Sequence, residues 1–258
     1  MMRKILFLLL TITTTTLFAQ VTTVYNPITE RTWMDRNLGA LQVATSFDDA
    51  DAFGDLYQWG RETDGHQIRT STTTSVLSAT NSPGHSDFIL ANSDWLTVSE
   101  DNLWQGVNGI NNPCPQGFRI PTEIELDAER LSWTTNDAAG AFASPLKFTI
   151  GGARSRMSGA IGNVGTFVGY RASTLIGTQS RMLGISLTTS LMGGRDRADG
   201  NCVRCVQDDA SASVMEYNSE RTLLKIVDIL GKETKARPNT PLFYIYSDGS
   251  AEKRLLIE

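Results

Sequence analysis

Cys114-Pro-Gln-Gly-Phe-Arg-Ile-Pro-Thr-Glu-Ile-Glu-Leu-Asp-Ala-Glu129 is the stretch around which the chain is organised. Pro115 and Gly117 make a turn, and Phe118 and Ile120 form one face of a short extended segment. Pro121 stands one residue before Thr122, whose hydroxyl is placed to accept from an orphan amide at a helix start. Glu123 and Glu125 suit the positive end of the helix dipole. Ile124, Leu126, Ala128 and Leu131 give that helix a loose apolar side. A cysteine, a turn, a strand and an acidic capped helix thus follow one another closely.

Working outward, Val21 to Tyr25, a turn at Asn26-Pro27 and Arg31 to Asp35 predict a hairpin. Thr45 to Phe53 is acidic and reads as a short helix or a loop. In Leu56-Tyr-Gln-Trp-Gly-Arg61 an extended backbone would put Tyr57 and Trp59 on one face. From Glu62 to Asn112 the chain is polar and aperiodic, too long for a simple connector. Trp95 and Trp104 within it argue for ordered packing.

Beyond the helix, Asn136 to Ala143 is turn-rich and Pro145 to Ile150 reads as a strand. Glycines from Gly151 to Gly169 then punctuate short antiparallel strands. Gly169 to Thr174, Arg181 to Leu187 and Cys202 to Gln207 read as further strands. Short strands with one or two helices and long loops make an α+β fold. Asp208 to Ser213 has the composition of a linker. The apolar runs Leu223 to Leu230, Leu242 to Tyr246 and Leu255 to Ile257, separated by turns, predict a small all-β tail over 214–258.

The chain has 258 residues, a net charge of -5, 40% hydrophobic and 20% charged residues. That charge argues against a nucleic-acid surface as its main business. Arg3 and Lys4, an apolar run from Ile5 to Leu10, and a small residue before a cut at Ala19 read as a signal peptide over 1–19. No later stretch is apolar for long enough to span a bilayer. Export favours one disulfide among Cys114, Cys202 and Cys205, with Cys114 bridged to one member of the Cys202-Val-Arg-Cys205 pair. On a strand, residues three apart point to opposite faces, which argues against redox use of that CxxC spacing.

Several motifs occur in one order. They are Trp33-Met-Asp-Arg-Asn-Leu-Gly-Ala40, Gly54-Asp-Leu-Tyr-Gln-Trp-Gly-Arg61, Asp64-Gly-His66, Asn81-Ser-Pro-Gly-His85, Asn112-Pro-Cys-Pro-Gln-Gly-Phe-Arg-Ile-Pro-Thr122, Ser144-Pro-Leu-Lys147, Gly169-Tyr170 with Ser173-Thr174, and Val203-Arg-Cys205. In these, residues 20–209 resemble the Fibrobacter succinogenes major paralogous domain, an extracellular bacterial family placed near the C-type-lectin-like fold. The resemblance implies a looped α+β domain whose N- and C-terminal strands pair, at the outer-membrane surface or secreted, with no established activity. The Arg-hydrophobic-Pro-Thr-Glu helix start is also similar to that of sulfatase-modifying-factor relatives. The sequence departs from the family at Leu126 and Arg171, where Trp is usual, and at Asn201-Cys202 before the Val-Arg-Cys motif. Cys202 is then the additional cysteine, which implies Cys114 with Cys205 as the pair. The tail resembles C-terminal sorting modules of type IX secretion, which implies that secretion machinery as a partner.

Enzyme signatures are scarce. His66 and His85 are the only histidines, and no Gly-x-Ser-x-Gly elbow occurs. Asp48, Asp49, Asp51 and Asp55 put four carboxylates within eight positions and suggest calcium, without the order of an EF-hand loop. Trp95 and Trp104 are candidates for a sugar-stacking surface, with Asp94, Asn102, Asn108 and Asn111 as its polar side. The expectation is a non-catalytic binding or adhesion module that presents the Glu62 to Asn112 loop and the Gly159 to Gly165 region to an extracellular glycan or protein. The alternatives are a cysteine-dependent enzyme of the sulfatase-modifying lineage and a purely structural surface protein.

Overall fold

The computed structural model describes residues 21–208, 223–228, 231–247 and 251–255. The expected leader and most of the expected linker lie outside these residues. The chain divides into two compact units, Met1–Asp208 and Asp209–Glu258.

The larger unit opens on the hairpin β1 (Thr23–Asn26) and β2 (Arg31–Met34). A 3-10 turn covers Ala50–Ala52, and the region that follows holds only β3 (Thr73–Thr74) and β4 (Phe88–Ile89), paired in parallel. Next come β5 (Phe118–Arg119), α1 (Glu123–Leu131) and α2 (Ala138–Ala143). A small hairpin of β6 (Ala153–Arg154) and β7 (Ile161–Gly162) leads into the meander β8 (Phe167–Ile176), β9 (Gln179–Ser186) and β10 (Ser190–Asp196). The last strand of the unit, β11 (Val206–Gln207), pairs antiparallel with β2 on one side and β5 on the other. The opening hairpin and the last strand of the unit therefore close on each other through β2, and Met34 N–H donates to Cys205 O at 3.0 Å beside that seam.

The Thr122 expectation is met in full. Its hydroxyl accepts from Glu125 N–H, and the Glu125 carboxylate accepts from Thr122 N–H at 2.8 Å, a capping box. The buried side of α1 differs from the expected one. Ile124 and Leu131 are 80% and 67% exposed, whereas Glu125, Leu126 and Glu129 are buried. Arg119 holds Glu125 through two bonds of 2.8 Å, and Glu129 accepts from Asn26 at 2.6 Å and Trp133 at 3.2 Å. Satisfied carboxylates can be buried where an unpaired one cannot.

Three local expectations fail in whole or in part. Asn136 to Ala143 contains a helix, capped where the Asp137 carboxylate accepts from Gly140 N–H. Pro145 to Ile150 is irregular, with Leu146 and Phe148 to Ile150 buried: Ile150 N–H donates to Phe47 O and Phe148 N–H to Ala141 O, with no ladder. The expected strand at Cys202 is likewise reduced to β11, while Cys202 bridges Tyr170 in parallel.

Two apolar clusters fill the unit. One gathers Trp33, Leu126, Phe148, Tyr170 and Leu183, and the other gathers Tyr57, Trp59, Trp95, Trp104 and Val203. The smaller unit is an antiparallel sheet of β12 (Leu223–Val227), β13 (Pro241–Tyr246) and β14 (Ala251–Leu255), in the order 12-13-14. Alternation along β13 buries Leu242, Tyr244 and Tyr246. No helix among the described residues is long and apolar enough to cross a membrane.

Candidate binding cleft

Gly152 sets up the site. Its φ is +81°, and a Cβ there would stand 2.5 Å from Gly162 O, so only glycine lets β6 and β7 approach this closely. Ser155 orders the connecting loop, its hydroxyl accepting from Met157 and Ser158 N–H. Arg154 and Gly200 exchange backbone bonds of 2.8 and 2.9 Å, which sets this hairpin against the turn that follows β10. A cleft of about 340 Å³ opens there, lined by Arg154, Arg156, Asn163, Arg195 and Asp199 with backbone from Ala160 to Gly162. Its size falls at the low end of ligand sites, roughly 300–1,000 Å³.

The three lining arginines differ in what they do. Arg154 is 3% exposed and donates to Gly159 O at 2.8 Å, Ser71 O at 2.6 Å and Ser71 Oγ at 2.6 Å. Burial lowers its pKa from the usual value. Arg156 is fully engaged, with Asp199 at 3.2 Å, Asp196 at 3.0 Å and Asn92 O at 2.7 Å. Arg195 is not: its Nε is 4.0 Å from the Asp199 carboxylate and has no hydrogen-bond partner, and its Nη groups make none among the described residues. The guanidinium lies 6.0 Å from the Phe167 ring centroid, which helps to hold it in place. Beneath the cleft, buried Arg171 donates to Asp196 O at 2.7 Å and Asp199 O at 2.6 Å and pins the turn. Of these arginines only Arg156 and, at longer range, Arg195 reach the Asp196 and Asp199 carboxylates, which leaves the cleft with an excess of positive charge.

The residues singled out from sequence lie elsewhere. Trp95 and Trp104 are wholly buried, so neither offers a face for stacking a sugar. Trp95 Nε1 donates to Trp59 O at 2.7 Å and Trp104 Nε1 to Arg61 O at 3.2 Å, which satisfies each indole inside the core. Asp94 accepts from Ser99 Oγ at 2.6 Å and Leu96 N–H at 3.2 Å. Asn102 and Asn108 are exposed, and buried Asn111 ties Gly60 O to Asn81 O. The stacking expectation is therefore corrected: a long loop needs a core of its own, and its tryptophans form it.

The calcium expectation is corrected as well. Asp49 caps the 3-10 turn, accepting from Thr45 N–H and Oγ1 at 2.9 and 2.8 Å, and Asp48 accepts from Ser46. Asp51 and Asp55 line a separate cleft of about 220 Å³ beside Arg69. Burial raises the Asp55 carboxyl, with Arg69 opposing. Among the described residues no three His, Cys, Asp or Glu side chains are grouped to hold a metal ion.

The reactive side chains are committed to the fold. Cys114 and Cys205 form a disulfide with Cα atoms 5.9 Å apart. Cys202 is buried, and burial pushes its thiol up to about 11, so it is a poor source of thiolate. His66 is wholly buried; its Nε2 accepts from Gln58 N–H at 3.1 Å and its Nδ1 lies 2.6 Å from Asp64. Burial pushes its pKa down to about 4, which keeps the ring neutral, with Nδ1–H facing the carboxylate. His85 accepts from Asp87 N–H in a loop.

The cleft arginines escaped notice in the sequence. The signals were two Arg-x-Arg repeats, Arg154-Ser-Arg156 and Arg195-Asp-Arg197, in the glycine-punctuated part of the chain. No protein-family model, curated protein or solved structure matches this chain.

Proposed function

We propose that this chain is an exported, non-catalytic binding module of the C-type-lectin-like kind, related to the Fibrobacter succinogenes major paralogous domain. It acts at the outer-membrane surface or after secretion. Its site is the cleft between the β6–β7 hairpin and the end of β10. The observation that carries this reading is a contrast of chemistry. The cysteines and His66 are locked into disulfide or core, while a positively charged cleft stands open on a rigid frame. Pairing of β2 with β11 and the capped start of α1 support the fold assignment. The small antiparallel unit with buried Leu242, Tyr244 and Tyr246 supports a sorting role for the tail, read by type IX machinery.

An immobilised panel of glycans and outer-membrane extracts, probed with the oxidised protein, tests the reading. Binding of a defined ligand class that Cys202→Ser leaves intact is the expected result. Turnover of a thiol or peptide substrate that Cys202→Ser abolishes would overturn it in favour of an enzyme.

A further inference from the structure

We infer that the cleft takes an acidic saccharide, its carboxylate held by Arg195. The inference rests on the binding-module reading above. Arg195 carries the argument because its two Nη groups, four donors of a planar fork, make no hydrogen bond among the described residues, while its buried Nε faces Asp199 at 4.0 Å. Arg156 lies close by, yet Asp196 and Asp199 already neutralise it. Asp199, bonded to Arg156 through both its N–H and its guanidinium, is drawn toward Arg156 and only brushes Arg195 at 4.0 Å. One oriented cation is left with only this long contact to Asp199, above buried Arg154, whose bonds run to neutral oxygens.

A carboxylate suits that fork in bidentate geometry. The rest of the cleft suits hydroxyls. Asn163, exposed and at φ 61°, brings an amide with a donor and an acceptor to the rim, and the backbone from Ala160 to Gly162 adds further polar groups. Neutral donors and acceptors around the one lining arginine with open Nη groups match a sugar ring bearing one acid group. An acidic peptide would instead call for several guanidinium groups with open donors, whereas Arg154 and Arg156 spend theirs on the protein and only Arg195 of the lining arginines keeps its Nη groups open.

Calorimetric titration of the full-length oxidised chain with digalacturonate, neutral digalactose and hexa-aspartate tests this. Digalacturonate should bind at least about tenfold more tightly than digalactose, as the loss of one charged hydrogen-bonded contact implies. Arg195→Gln should weaken digalacturonate by at least about tenfold, with Arg195→Lys in between because lysine keeps the charge and loses the fork. Unchanged melting of both variants would show that the fold is intact. Equal binding of the two sugars overturns the charge assignment while leaving a binding module. Tighter binding of hexa-aspartate overturns the saccharide assignment. No binding of digalacturonate, or binding indifferent to Arg195→Gln, overturns the inference whatever the panel screen finds.

Discussion

Arginine does opposite things in the interior of the larger unit and at its cleft. Inside, Arg61 reaches Gln58, Asp64, Asp87 O and His85 O, and Arg204 reaches Asn37, Leu146 O and Met34 O. Arg171 and Arg197 leave Nε without a partner but have their outer nitrogens held. A fold with so little regular ladder buries carbonyls that strands or helices would otherwise satisfy, and a five-donor fork can satisfy several at once. At the cleft, Arg195 has the same fork with its Nη groups unbonded and its Nε 4.0 Å from Asp199. The difference teaches that a buried charge here marks structure, and the binding reading proposed above rests on the one lining arginine whose Nη groups stay unbonded.

The largest effect sets the scale for this contrast. Cys114→Ser with Cys205→Ser should lower stability by about 4 kcal/mol, since the bridge closes a loop with a sequence separation of 91. Denaturant unfolding of the oxidised and double-variant proteins measures it. Arg204→Met should cost about 3 kcal/mol by the same assay, because the buried acceptors of Asn37 and Leu146 lose their donor. A loss under about 1 kcal/mol would break the claim that interior arginines carry the loops.

The interior also predicts a pH dependence. The folded pKa of His66, about 4, lies below the ordinary 6.5. The unfolded chain therefore takes up the proton first, so this stability is complete above pH 6.5 and is lost as pH falls toward 4. Between pH 7 and pH 5 the loss is about 2 kcal/mol. Melting temperature against pH should be flatter over that window in His66→Gln, and an unchanged slope would remove His66 from the interior network. Smallest of all, Arg195→Gln should change stability by less than about 0.5 kcal/mol. A larger loss would erase the distinction between the two regions.

Much of the frame was legible beforehand. Thr122 announced a helix start, Asn26-Pro27 a hairpin, and the glycines after Gly151 a run of short strands. The Cys114–Cys205 bridge followed from the motif resemblance. The site was less legible. Tryptophans in a polar loop suggested a surface, but a loop of that length is ordered only by burying them. Four nearby aspartates suggested a metal, but turn amides and hydroxyls had first claim on Asp48 and Asp49.

What the sequence determined by itself is local: caps, turns and strand alternation, all set by contacts a few residues apart. Which side of α1 is buried, where the indoles point and which arginine stays unengaged were decided only by tertiary structure. Those outcomes depend on partners far along the chain, such as Asn26 with Glu129, 103 residues apart, and Asn37 with Arg204, 167 apart. A guanidinium is free or engaged according to which carbonyls and carboxylates the fold brings to it, and no local pattern records that.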